Sequence, residues 1–188
     1  MAQPFLTVVT RHLPARADLL ERNQASLRAQ TDQDYEQVVI TDFDGGGFKQ
    51  AVAMLRNAAH SLNGRYVLIL DDDDVIEDRH AISILKSTVG AGSPRPEPPA
   101  VIFRGRHAEL GVLPGYSWLR EPVRGDIGVF DFVLRADVYK TFVETPIINA
   151  YAFDHDLISA VYAAHGSEIV WLDRIICAAD RRRLGAAT

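Results

Sequence analysis

At 188 residues, 47% hydrophobic and 24% charged, the chain has ordinary globular composition and enough length to bury one sizeable core, so a single domain is expected. Its formal net charge of −5 gives no general attraction to nucleic acid, and its basic residues are dispersed until Arg181, Arg182 and Arg183. One cysteine, Cys177, excludes an internal disulfide and any multi-cysteine metal site. Its place in the apolar stretch Arg174 to Ala178 reads as a buried, inert thiol. The opening residues lack a basic segment followed by an apolar one, and no apolar run approaches the roughly 20 residues of a membrane span. The expectation is therefore a cytoplasmic protein with no transmembrane segment, soluble or held peripherally at a membrane.

Phe5 to Thr10 is short, apolar and β-branched, the signature of a buried strand. After a polar break, Asp18 is placed to cap a helix that carries Leu19, Leu20 and Leu27. Gln37 to Thr41 reads as a second strand, stopped by Asp42, Phe43, Asp44 and three glycines whose spacing matches neither a dinucleotide fingerprint nor a phosphate loop. From Lys49 to Leu62, apolar residues recur close to the helical period at Val52, Leu55, Ala58, Ala59 and Leu62, and Asn63-Gly64 ends the run. Arg65 to Leu70 is a third strand that leads directly into Asp71, Asp72, Asp73 and Asp74. Asp78 to Val89 is expected to be helical, and Gly90 to Pro99 a Pro- and Gly-rich loop. Farther on, Ala100 to Phe103 and Val129 to Leu134 read as strands, Gly111 to Asp126 as irregular, and Asp137 as the start of a short helix. Asp154 to Ala164 reads as the last helix and Glu168 to Leu172 as the final strand.

Strands alternating with helices in the first half predict an α/β fold with a mostly parallel sheet covered on both faces, because parallel strands need helical crossovers. Ligands in such sheets gather outside the carboxyl ends of the strands. That rule places Thr10 and Arg11, Asp42, and the four aspartates on one rim.

Adjacent carboxylates at a strand end repel one another, and a cation is the simplest compensation. In extended geometry Asp71 and Asp73 point one way while Asp72 and Asp74 point the other. Oxygen ligands without neighbouring His or Cys suit a hard ion, Mg²⁺ or Mn²⁺, which completes its shell with phosphate oxygens. The competing readings are a solvated acidic turn ahead of a helix, and the strand-end motif of the haloacid-dehalogenase phosphatases. That family carries the motif on its first strand, whereas two strands precede it here.

The sequence resembles the family-2 glycosyltransferases of the GT-A fold along nearly its whole length. Ser26 to Thr31 is similar to the "SLxxQT" ahead of that family's second strand. Leu55-Arg56-Asn57-Ala58-Ala59, followed by Gly64 to Asp74, is similar to its "ARNxG…GxYIxFLDxDD", the most specific match. Phe130 to Val138 resembles the strand with "FRRxVF", and Asp154 to Leu157 resembles "EDWDL". The resemblance implies an inverting transfer of a sugar from a UDP- or GDP-sugar to a hydroxyl of a saccharide or lipid-linked acceptor. It implies Thr10, Arg11 and Asp42 around the nucleoside, Arg56, Asp71 and Asp72 near the donor, Asp71 and Asp73 on the metal, and Asp154 as the general base. Thr41 and Phe153 stand where the family has acids, and Asp180 lies nearest to where its late metal-binding His is expected. Residues 1–99 would form the nucleotide-sugar half and 100–188 the acceptor half. A catalytically degenerate nucleotide-sugar-binding domain is the non-enzymatic alternative.

Simpler roles compete for several of these residues: Asp154 as a helix cap, Arg56 in a helix-face ion pair, and the arginines at 181–183 as a solvated tail. The six histidines show no metal-ligand spacing. Trp171, within an apolar strand pattern, reads as core, and Trp118 as an acceptor-side contact.

Overall fold

Strands that are apolar on both faces must be covered on both, and the chain does this with helices on either side of one sheet. The computed structural model describes residues 3–90, 96–145 and 152–179. Its strands are β1 (Leu6–His12), β2 (Tyr35–Thr41), β3 (Tyr66–Ile69), β4 (Asp74–Ile76), β5 (Ala100–His107), β6 (Gly111–Leu113), β7 (Phe132–Arg135) and β8 (Val170–Ala179). Its α-helices are α1 (Ala17–Arg28), α2 (Gly47–Ala58), α3 (Ala81–Thr88), α4 (Ala136–Val143) and α5 (Phe153–His165).

The sheet runs β2-β1-β3-β7-β5-β8-β4, with β6 paired to β5. The long ladders are parallel: β1 lies between β2 and β3, and β5 lies beside β8. Shorter antiparallel ladders join β7 to β3 and β5, β6 to β5, and β4 to β8. The result is a single α/β domain whose mixed sheet is mostly parallel by ladder length. Strand alternation divides the core in two. Val9, Val67, Ile69 and Ile102 face α2, α4 and α5 through Leu55, Val138 and Leu157. Val8, Leu68, Val101 and Val133 face α1 and α3 through Leu27, Ile82 and Leu85. Each such buried side chain stabilises the fold by about 1.5–3 kcal/mol.

The structure corrects several expectations from the sequence. Asp18 lies in the first turn of α1, and Arg16 occupies the cap position without a side-chain cap. Asp78 precedes α3, accepting from the His80 N–H and from Arg174. Val129–Asp131 is a 3-10 turn because the Asp131 carboxylate accepts from the Gly128 N–H at 2.7 Å. β8 continues past Leu172 to Ala179 because its second half pairs with both β5 and β4. Among the described residues, no helix is long and apolar enough to cross a membrane.

Candidate active site

Arg11 and His12 end β1, Asp42 follows β2, and the four aspartates follow β3, so the parallel strands deliver these residues to one rim. Between β3 and β4 the chain turns tightly, the Asp74 N–H donating to the Asp71 carbonyl at 3.0 Å. A turn, unlike an extended strand, brings the first and fourth residues together. Asp74 therefore joins Asp71 and Asp73, contrary to the extended-geometry expectation, and carboxylate oxygens of the three lie within 4.8 Å of one another. Asp72 alone turns away. Its carboxylate lies 2.9 Å from the His12 ring nitrogen and accepts from the Leu13 N–H at 3.0 Å and from Arg16 at 3.2 Å.

The turn rests on a buried relay that the sequence pattern does not reveal. Asn23 on α1 donates from Nδ2 to the carbonyls of Asp71 (3.0 Å) and Asp74 (2.9 Å). Gln37 on β2 donates to Asn23 Oδ1 and to Thr10 Oγ1, both at 2.8 Å. Thr10 is thus fully buried beneath the rim, and it lines neither of the two cavities described below.

Burial raises the pKa of Asp74 well above the usual carboxylate range, and Asp71 and Asp73 raise it further. Asp73 shifts the same way through burial and Asp71, with Arg16 partly opposing. Burial alone would lower the Arg11 pKa, but the charges of Asp71, Asp154 and Asp74 and a hydrogen bond with Asp71 raise it overall. Three clustered carboxylates under this electrostatic load, all oxygen donors, fit a hard divalent ion such as Mg²⁺ or Mn²⁺. Arg11 meets part of the same need, its Nε and Nη2 each donating to one oxygen of Asp71 at 2.5 Å.

Two cavities meet at this turn. The larger, about 590 Å³, is lined by Asp71, Asp73 and Asp74 on one side and by Leu113, Ile127, Val129 and Phe130 on another. Asp154, in the first turn of α5, also lines it, so the proposed base and the acidic cluster share one space. The smaller, about 260 Å³, lies over Ile40, Asp42, Ala51 and Met54. Arg11, Arg16, Phe48 and Asp71 line both. Asp42 binds its own loop, accepting from the N–H groups of Asp44, Gly45 and Gly46 at 3.0 to 3.1 Å. Gly45 and Gly47 have φ of +63° and +67°, a conformation that lets this loop fold back and present Phe48.

Other expected residues lie elsewhere. Arg56 is absent from both cavity walls; its Nε donates to the Val143 carbonyl at 2.8 Å, tying α2 to the end of α4. Asp180 and Arg181 to Arg183 fall outside the described residues. Trp118 packs edge-on to Trp171 with ring centroids 5.1 Å apart, and the Arg104 guanidinium sits 3.7 Å from its ring centroid. It is a packing anchor for residues 114–126 and is not part of the larger cavity's wall.

Arg16, Phe48, Asn23, His107 and Asp131 were not singled out by sequence motifs. His107 at the end of β5 lines the larger cavity and accepts from the N–H groups of Glu109 and Leu110 through Nδ1, which places the neutral ring's proton on Nε2. Asp131 is buried behind the wall, with Oδ1 directed at Gly105, where any side chain would collide with it. Burial raises its pKa well above the usual range, and Asp154 and Asp126 add to the effect.

No protein-family model and no curated protein sequence matches the chain. Solved structures do. TarS from S. aureus superimposes with a TM-score of 0.63 at 14% identity over 93% of this chain and 36% of that one. TarS 1–349 in complex with UDP-GlcNAc gives 0.61 at 15% identity, covering 93% of this chain and 58% of that one. A glycosyltransferase involved in glycosylation of the major capsid of PBCV-1 gives 0.56 at 10% identity over 95% of both chains. The fold is therefore that of the GT-A glycosyltransferases, and the chain spans roughly a third to three fifths of the TarS chains.

Proposed function

We propose that the protein transfers a sugar from a nucleoside-diphosphate donor to an acceptor hydroxyl, with Mn²⁺ or Mg²⁺ held by Asp73 and Asp74 together with Asp71. The observation that carries this reading is the acidic turn at the junction of two cavities, with Asp154 in the wall of the larger one. A UDP- or GDP-sugar would place its nucleoside over Ile40 and Met54 beside Phe48, and its diphosphate against Arg11 and Arg16. Residues 1–99 supply most of this donor side and 100–188 most of the acceptor wall. Asp154 takes the proton of the acceptor hydroxyl as that oxygen bonds to the anomeric carbon and the carbon–phosphate-oxygen bond breaks, inverting the centre. The bound metal supplies Lewis-acid stabilisation of the departing diphosphate. Leu110, lining the larger cavity and 59% exposed, and Leu119, 63% exposed, support a saccharide acceptor that carries an apolar, lipid-like part. That acceptor in turn favours work in the cytoplasm at a membrane surface.

The test is calorimetric titration of UDP and GDP with and without Mn²⁺, followed by turnover measurements with a UDP-sugar. Metal-dependent binding is expected in the wild type and is lost in Asp73→Ala, by about 100-fold or more in metal affinity. Asp154→Asn keeps UDP binding and loses turnover by about 10²–10⁴-fold. Failure of both diphosphates to bind wild-type protein would sink the reading, and binding without turnover would favour a degenerate domain.

A further inference from the structure

Arg11 engages both oxygens of Asp71, through Nε and Nη2 at 2.5 Å each, and its side chain is only 17% exposed. It also lines both cavities, so rotation about its side-chain bonds can carry its guanidinium from the acidic turn to the junction between them. Arg16, which lines the same junction, bonds Asp72 at 3.2 Å and lies 3.6 Å from Asp73, whereas the direct contact of Arg11 is with Asp71. We propose that Arg11 is an exchange counter-ion: it competes with the divalent metal for Asp71, and moves to the donor's diphosphate when the nucleotide binds. The proposal rests on the transferase reading.

A guanidinium seated on both oxygens of a carboxylate opposes a dication approaching that carboxylate, because the two cations repel at short range in a partly buried site. A diphosphate offers the planar guanidinium an equivalent two-pronged partner. Once Arg11 has turned to the phosphates, Asp71 is released to the metal with its charge uncompensated. Metal and nucleotide then bind with positive coupling, and the coupling is reciprocal. Arg11 is thus a positioning residue that makes the complete metal site conditional on donor.

The experiment is Mn²⁺ titration, followed by electron paramagnetic resonance of the free ion, with and without UDP. It compares wild type, Arg11→Met, Arg11→Gln and Arg11→Lys, each checked for native circular dichroism. Without UDP, Arg11→Met and Arg11→Gln are expected to bind Mn²⁺ about tenfold more tightly than wild type, and the tightening caused by UDP shrinks by a similar factor. Arg11→Lys, which keeps the charge but not the two-pronged geometry, falls between wild type and the neutral variants. A purely structural role predicts weaker Mn²⁺ binding in the neutral variants. Folded Arg11→Met or Arg11→Gln protein with unchanged or weaker Mn²⁺ affinity overturns the exchange while leaving the transferase reading intact. Wild-type protein that takes up no Mn²⁺ with or without UDP overturns both.

Discussion

The two sides of the larger cavity are built on opposite plans. The acidic side is a tight turn of consecutive residues, Asp71 to Asp74, anchored from below through backbone carbonyls by Asn23. The opposite wall is a long connection closed by one buried carboxylate, Asp126, which accepts from the Gly115 N–H, the Ser117 N–H and the Ser117 hydroxyl at 2.6 to 2.9 Å. The acidic side concentrates charge and leaves it partly unmet, whereas the wall spends its charge on holding a loop in place. In the proposed transferase, a site built this way would keep its chemistry constant while the loop set which acceptor enters.

The comparison breaks most visibly at Asn23. Asn23→Ala removes the props under Asp71 and Asp74 and is expected to lower Mn²⁺ affinity about 10- to 100-fold, as losing a supporting partner of metal ligands typically does. Calorimetry reads the effect, and unchanged affinity would show that the turn holds its shape alone. On the other side, Asp126→Ala leaves two N–H groups and a hydroxyl without their acceptor and is expected to cost about 1–3 kcal/mol in denaturant unfolding. Acceptor KM should rise while UDP affinity stays the same. A matching loss of UDP affinity would mean that the two sides are not independent.

The smallest effect concerns Asp131, behind the wall. Its folded pKa is raised, so its contribution to stability is fully present below the unfolded carboxylate value of about 4 and is lost as pH rises through the folded value. Asp34 and Asp137, whose pKa values are lowered chiefly by hydrogen bonds from Lys86 and Arg135, behave oppositely and lose stability as pH falls. In EDTA, Asp131→Asn should therefore match wild type at low pH and exceed it in stability at mildly alkaline pH. Denaturant midpoints across pH check this, and a difference that does not vary with pH would show that the Asp131 carboxyl titrates alike in the folded and unfolded chain.

The core strands β1, β2 and β3 and the helices α2 and α5 were legible because their signals are local: an apolar run, a helical period, a stop at Asn63-Gly64. β4 was not, because three residues that begin on the last aspartate of an acidic turn carry no pattern of their own and become a strand only by pairing with β8. The same limit applied to Trp118, whose neighbours Arg104 and Trp171 are distant in sequence. It applied to Arg56 as well, whose partner carbonyl at Val143 lies 87 residues away.

By itself, the sequence determined that four aspartates would stand at the carboxyl end of a central strand, since strand propensity and the turn that follows are properties of neighbouring residues. Tertiary structure alone decided where each carboxylate points. Asp72 was drawn to His12 and Arg16, Asp74 was folded in beside Asp71 and Asp73, and Arg11 was set on Asp71 from 60 residues away. A carboxylate's direction and charge depend on the donors and cations around it, and folding brings those from parts of the chain that no local pattern connects.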